Sequence, residues 1–410
     1  MKIIKYQCND CGDTFTESKA IYLCPKCSIL NNPLSPPKGI LKVVYDYDKL
    51  IKDGTTYSQL EENYFLDLLP IENNKSLPYL KVGNTPLYPI STIENSKLPF
   101  KLFIKDDSQN PTYSFKDRAS AIVSAFAKEN SLDTIITAST GNAGSSLAVI
   151  CAAQKQKAII LVPESAPLAK LTQIIMYGAT LVPIKGNYDD AFDLSIEASE
   201  NFGWYNRNTA FNPLTIEGKK TVSLELFKQL NNSIPDRIFV PVGDGVIISG
   251  VYKGFEDLLK LKIIDQMPTI VGVQASKSDN LIRNINKTEF KIKESTTIAD
   301  SISVDIPRNF YMAKKYIEKY DGEYLTVSDE EILNASYILS SNTGLFAEPA
   351  SAAAFAGLLS YKDSNKIDDY SSNIVLHTAS GLKDLKSVKS IVKMPKPIVP
   401  TLEMLKNILI

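Results

Sequence analysis

Four cysteines stand close together near the start of the chain, in Cys8-Asn-Asp-Cys11 and Cys24-Pro-Lys-Cys27, two knuckles separated by twelve residues. Four thiolates at this spacing can close a tetrahedral zinc site, and a closed site leaves no open position for catalysis. The expectation is a structural zinc on Cys8, Cys11, Cys24 and Cys27. Three loops offer a different chemistry. Ser139, Thr140, Gly141 and Asn142 follow an apolar run and open a small-residue helical pattern. Free N–H groups at a helix start attract anions, so a carboxylate suits the place; an ordinary Asn-Gly turn with a helix cap reads equally well. Gly243-Asp244-Gly245 follows Phe239-Val-Pro-Val242. Its glycines would let a phosphate approach the backbone, although a plain tight turn has the same composition. Thr378-Ala-Ser-Gly381 places hydroxyls after a further apolar run, or is again a turn. Lys116, in Asn110-Pro-Thr-Tyr-Ser-Phe-Lys-Asp-Arg118, does not differ by composition from a solvated helix lysine. As an activated amine it would form a Schiff base with an aldehyde cofactor. The chain has one histidine, His377, so a multi-histidine metal site is impossible and proton transfers must rest on other groups.

These loops need a frame. Leu102–Lys105, Thr134–Ala138, Ala158–Val162, Thr180–Ile184, Arg237–Val242, Thr269–Val273 and Asn373–His377 are short apolar runs that read as buried strands. Between them lie helical patterns over Ser114–Lys128, Leu168–Tyr177 and Tyr188–Glu200, the second closed by Gly178. Strands alternating with helices predict an α/β protein with parallel sheets, whose ligands sit at the carboxyl ends of the strands. All three loops fall at such ends. Residues 1–35 read as a small zinc-ribbon-like unit, joined through the Pro-rich Asn32–Gly39 stretch.

With 410 residues, 44 % of them hydrophobic, the chain can bury a sizeable core. Its 45 basic and 46 acidic residues leave a net charge of -1, which argues against a general nucleic-acid binder or a polybasic membrane binder. No apolar run approaches the roughly 20 residues of a membrane helix, and the polar start does not resemble a secretory signal. The expected location is the cytoplasm.

Taken together, the segments resemble the fold-type II pyridoxal 5′-phosphate (PLP) enzymes, and within them the threonine synthase family, over about residues 80–385. Gly83-Asn-Thr-Pro-Leu87 resembles the family's first turn, and Pro111–Arg118 its Schiff-base segment, which implies that Lys116 carries PLP. Ser139–Asn142 resembles the loop that holds the substrate carboxylate, with Asn142 against the cofactor's ring hydroxyl. Pro241–Ile247 stands where the family cradles the cofactor phosphate, which implies roles for Gly243, Asp244, Gly245, Val246 and Ile247. Glu348-Pro-Ala-Ser-Ala-Ala353 is another family run, and Thr378 lies where a neutral hydroxyl meets the pyridine nitrogen. The resemblance implies two three-layer α/β domains behind the zinc-ribbon-like segment. Residues 36–118 and 215–410 would form a large PLP-binding domain, and 119–214 a small substrate-loop domain. A homodimer is implied in the same way.

Several positions depart from the family pattern. Asn212-Pro-Leu-Thr-Ile-Glu-Gly218 has Thr215 where an arginine helps hold the substrate's phosphate, and losing that donor should weaken phosphate recognition. Ala379-Ser380 replaces Gly-His, Tyr113 replaces a small residue, and Val246 and Ile247 are bulky. The implied activity is conversion of O-phosphohomoserine to threonine and phosphate by a PLP-dependent lyase. The alternative is β-elimination or β-replacement on serine, threonine or O-phosphoserine, as in ammonia-lyases or cysteate synthase. A non-enzymatic relative that binds a partner through its ribbon is a third reading.

Overall fold

The computed structural model describes residues 4–17, 21–164, 166 and 168–409. Its strands form three sheets. All seven expected apolar runs are strands, and their buried residues point to both faces: Ile238, Phe239 and Val240 are all fully buried. Sheets covered on both faces produce such continuous apolar runs rather than alternation.

The larger sheet has six strands, in the order Glu323–Val327, Thr269–Ala275, Arg237–Pro241, Ser372–His377, Ser96–Asp106 and Leu87–Ile93. Its first five are parallel. The last is antiparallel, an edge the sequence reading did not foresee. It returns through a two-residue loop, Glu94-Asn95, with φ of 49° and 61°. Both values are positive, as a hairpin that matches strand twist requires. The smaller sheet is all parallel, in the order Thr180–Ile184, Lys157–Pro163, Thr134–Ala138 and Tyr205–Asn206. The third sheet is antiparallel and joins Thr14–Glu17, Ile4–Cys8 and Leu41–Val44. Its last strand comes from beyond the Pro-rich stretch.

Helices cover the parallel sheets. Pro349–Asp363 has alanine at five positions and lies against the larger sheet, where a Cβ on Gly357 would meet Val273 Cγ2 at 2.6 Å. Small residues let this helix approach the strands closely. Lys116–Glu129 is buried almost throughout and packs between Asn142–Gln154 and the short helix Leu214–Lys219. Among the described residues no helix is long and apolar enough to cross a membrane.

Candidate active site

A cavity of about 430 Å³ opens between the six-stranded and the four-stranded sheets. Residues 137–143 border it at the end of strand Thr134–Ala138, and residues 243–247 border it beyond strand Arg237–Pro241. A loop over residues 300–306 supplies a third wall, and Lys116 and Lys219 reach the cavity from their helices. Two of the three loops expected at strand ends therefore meet here.

Lys116 is the first residue of its helix, and the turn before it is tied from several sides. Thr112 gives its backbone N–H and its hydroxyl to Asp117, at 2.7 and 2.6 Å. Phe115 N–H donates to the Thr378 carbonyl at 2.8 Å, and Ser380 N–H donates to the Tyr113 carbonyl at 3.1 Å. The third loop thus forms a bridge, Ser114 to Ala379, that aims Lys116. Thr378 itself is buried behind this bridge and does not border the cavity. Tyr113 adopts φ of 59° and is 53 % exposed, so its bulk points away from the buried turn. Burial lowers the Lys116 pKa; Glu348 opposes the shift, and Arg207 adds to it. A lowered pKa leaves more neutral amine, the form that attacks an aldehyde and takes up a proton.

The Ser139–Asn142 loop is placed by a close approach. A Cβ on Gly144 would lie 2.5 Å from the Ser139 carbonyl oxygen, so only glycine lets the helix Asn142–Gln154 begin here. The first N–H groups of that helix have no partner within it. Asn142 Nδ2 donates to Glu348 Oε1 at 2.9 Å and lies 3.3 Å from Ser301 Oγ. Glu348 caps the alanine-rich helix but spends its carboxylate on Asn142. Burial raises its pKa, against the pull of Lys116 and Lys383.

Gly245 has φ of 85° and hands the chain to helix Val246–Lys260. No side chain caps this helix start, so its leading N–H groups remain available to an anion. Arg308 N–H donates to Asp244 at 3.2 Å, and Asn309 Nδ2 donates to the Gly245 carbonyl at 3.1 Å. Val246, one of the bulky departures, buries its side chain in the hydrophobic core.

The residues present fit a phosphorylated aldehyde cofactor. Lys116 offers an amine with a lowered pKa, and the uncapped helix start after two glycines offers a phosphate seat on the same cavity. His377 lies outside the cavity: its Nδ1 is 3.1 Å from Asp106 Oδ1 and its Nε2 is 3.0 Å from the Ala379 carbonyl. Sequence reasoning missed Lys219, Ser301 and the contact role of Glu348. Only Glu348 had a local signal, through the run that contains it.

The four cysteine sulfurs lie within 4.8 Å of one another. Cys8 to Cys27 and Cys11 to Cys24 are each 3.8 Å apart. A tetrahedral metal with thiolate bonds of about 2.3 Å spaces its ligands about 3.8 Å apart, so the donor set fits. This unit also touches the core near the cavity: the Tyr22 hydroxyl accepts from Asn206 N–H at 2.9 Å, and its ring stacks on Phe211.

Residues 79–379 match the family described as "Pyridoxal-phosphate dependent enzyme". The chain is 34 % identical to a threonine synthase of Methanocaldococcus jannaschii, over 98 % of both chains. It is 32 % identical to a threonine synthase of Methanosarcina acetivorans, over 95 % of this chain and 94 % of that one. Among solved structures it resembles the processed form of threonine deaminase isoform 2 from Solanum lycopersicum. That likeness has a TM-score of 0.67 at 20 % identity and covers 92 % of this chain and 98 % of the other. At that identity it speaks for the fold alone.

Proposed function

This chain belongs to the pyridoxal-phosphate dependent enzyme family, and we propose that it converts O-phosphohomoserine and water to threonine and phosphate. The observation that carries the reading is the end-to-end likeness to curated threonine synthases. The cavity is consistent with it. PLP, when bound, supplies an electron sink next to the substrate's α-carbon.

Every other role falls to the chain. Lys116 would hold the cofactor through Nζ, and its amine would move protons at Cα and Cβ of the substrate. Its depressed pKa suits both duties. Backbone N–H groups of the Ser139–Asn142 loop receive the substrate carboxylate, and the Ser139 and Thr140 hydroxyls orient it. The helix start at Gly243–Ile247 receives the cofactor phosphate. Asn142, braced by Glu348, would hold the cofactor ring. Phosphate then departs from Cγ, Cγ gains a proton, and the hydroxyl of water is added at Cβ.

We also propose that the four cysteines hold a structural zinc and that the enzyme is a homodimer. Metal analysis of purified protein and light scattering test these two points.

The test of the activity follows phosphate and threonine together after O-phosphohomoserine is added to PLP-loaded enzyme. Equal yields, abolished in Lys116→Ala, are expected. No turnover of O-phosphohomoserine, with ammonia released from serine or threonine instead, would replace this reading by the ammonia-lyase one.

A further inference from the structure

Three helices converge on Lys219, and two glycines make the convergence possible. A Cβ on Gly218 would lie 2.2 Å from the Arg118 carbonyl oxygen, and one on Gly250 would lie 2.6 Å from Lys219 Cβ. Lys219 is therefore wedged between the Lys116 helix and the Val246 helix. It is fully buried in protein yet borders the cavity. Its ammonium has a single hydrogen-bond partner among the described residues, the Thr215 carbonyl at 3.4 Å. The next residue behaves differently: Lys220 is held by Glu217 and Asp257 at 2.6 and 2.7 Å. Among the described residues no carboxylate forms an ion pair with Lys219.

Arg207 stands near it, fully buried as well. Its Nε donates to Ser120 Oγ at 3.2 Å and its Nη1 to Thr209 Oγ1 at 2.8 Å. Its Nη2 has no partner, and it too lacks an ion-paired carboxylate among the described residues. Thr209 borders the cavity. Burial, then Arg207 and Lys116, hold Lys219 well below its ordinary pKa, with Asp244 opposing. Buried cations without counter-charges are costly. A group that brings two negative charges into the cavity would relieve that cost at Lys219, at Arg207 and at Lys116 together.

Position 215 cannot supply the charge itself. Thr215 is fully buried, and its hydroxyl turns back to the Asn212 carbonyl at 2.8 Å. The Lys219 ammonium, one helical turn later, comes to rest at the carbonyl of that same residue.

We propose that Lys219 binds the phosphate ester of the substrate, with Arg207 backing it through Thr209. The inference rests on the functional reading above and adds the residue that selects a phosphorylated amino acid. Two phosphates are candidates for this cation, the substrate's and the cofactor's. The cofactor's has the uncapped helix start at Gly245, which leaves Lys219 for the substrate's.

The test compares PLP-loaded wild type, Lys219→Gln and Lys219→Arg. Three quantities are measured: KM for O-phosphohomoserine, inhibition by inorganic phosphate, and PLP affinity by titration of the apo form. In Lys219→Gln both KM and the inhibition constant should rise roughly 10- to 100-fold, the worth of one charged hydrogen bond. PLP affinity should hold, and Lys219→Arg should recover most of the phosphate inhibition. Weaker PLP binding with unchanged phosphate inhibition would assign the cation to the cofactor and overturn the proposal. So would a Lys219→Arg form no better than Lys219→Gln, because charge would then not matter. If wild type ignores O-phosphohomoserine but binds inorganic phosphate in a Lys219-dependent way, the functional reading fails and the phosphate site stands.

Discussion

Replacing Gly144 by alanine puts the placement of the carboxylate loop to a quantitative test. The added Cβ would sit 2.5 Å from the Ser139 carbonyl oxygen, where ordinary contact begins near 3.4 Å. The obstacle is backbone, so the loop or the helix start must retreat by the difference, about 0.9 Å. That loop carries Ser139, Thr140, Gly141 and Asn142. A displacement of about 1 Å at a positioning element can cost roughly 100-fold in rate, and overpacking costs about 1–3 kcal/mol in stability. Gly144→Ala should therefore lose roughly 100-fold in kcat/KM while it remains folded and able to take up PLP. The assay is steady-state release of phosphate, with PLP content from the absorbance of the bound cofactor and stability from chemical denaturation. Gly203→Ala is the control. Gly203 has φ of 69°, has open space where a Cβ would stand, and does not border the cavity. It should cost only the left-handed strain, about 1–2 kcal/mol, with kcat/KM unchanged. Equal kcat/KM for wild type and Gly144→Ala would refute the claim that this close approach sets the loop.

Three further predictions concern other parts of the molecule. Thr215→Arg should destabilise the fold by several kcal/mol, because a third unpaired cation enters a buried place beside Arg207 and Lys219; a more stable variant with lower KM in denaturation and rate measurements would contradict this. Glu225 is held at a pKa of about 2, where burial pushes it up but Arg118 and Lys105 more than compensate. Since the folded pKa is depressed, its contribution of about 3 kcal/mol is complete above pH ~4.5 and is lost as pH falls towards ~2. Glu225→Gln should flatten that acid limb in a pH series of denaturation curves, and an unaltered limb would count against the ion cluster. Removing metal from the four cysteines should free Tyr22 from Asn206 and Phe211 and so loosen the segment that carries Thr209. Chelation should then raise KM for the phosphorylated substrate before PLP is lost, and simultaneous loss of both would show general unfolding instead.

What the sequence determined by itself is local. The apolar runs had to become strands buried on both faces, and the turns after them had to lie at strand ends, where helices begin with free N–H groups. Hence Ser139–Asn142 and Gly243–Gly245 were legible as loops at strand ends that suit either an anion or a plain turn, and the cysteine spacing was legible as a candidate metal frame. Resemblance added Lys116. The antiparallel edge Leu87–Ile93 was hidden in a mixed stretch, because an exposed edge strand carries little hydrophobic pattern. The rest was decided by contacts between residues far apart in the chain. The bridge from Ser114 to Ala379 aims Lys116, and the bond from Asn142 to Glu348 spans two helix starts. Lys219 reads in sequence as one more helix lysine beside Lys220. Only the crossing of three helices at Gly218 and Gly250 strips it of solvent and of counter-charge and turns it to the cavity. A side chain's charge is written in its own residue type, but its desolvation and its partners belong to the whole fold.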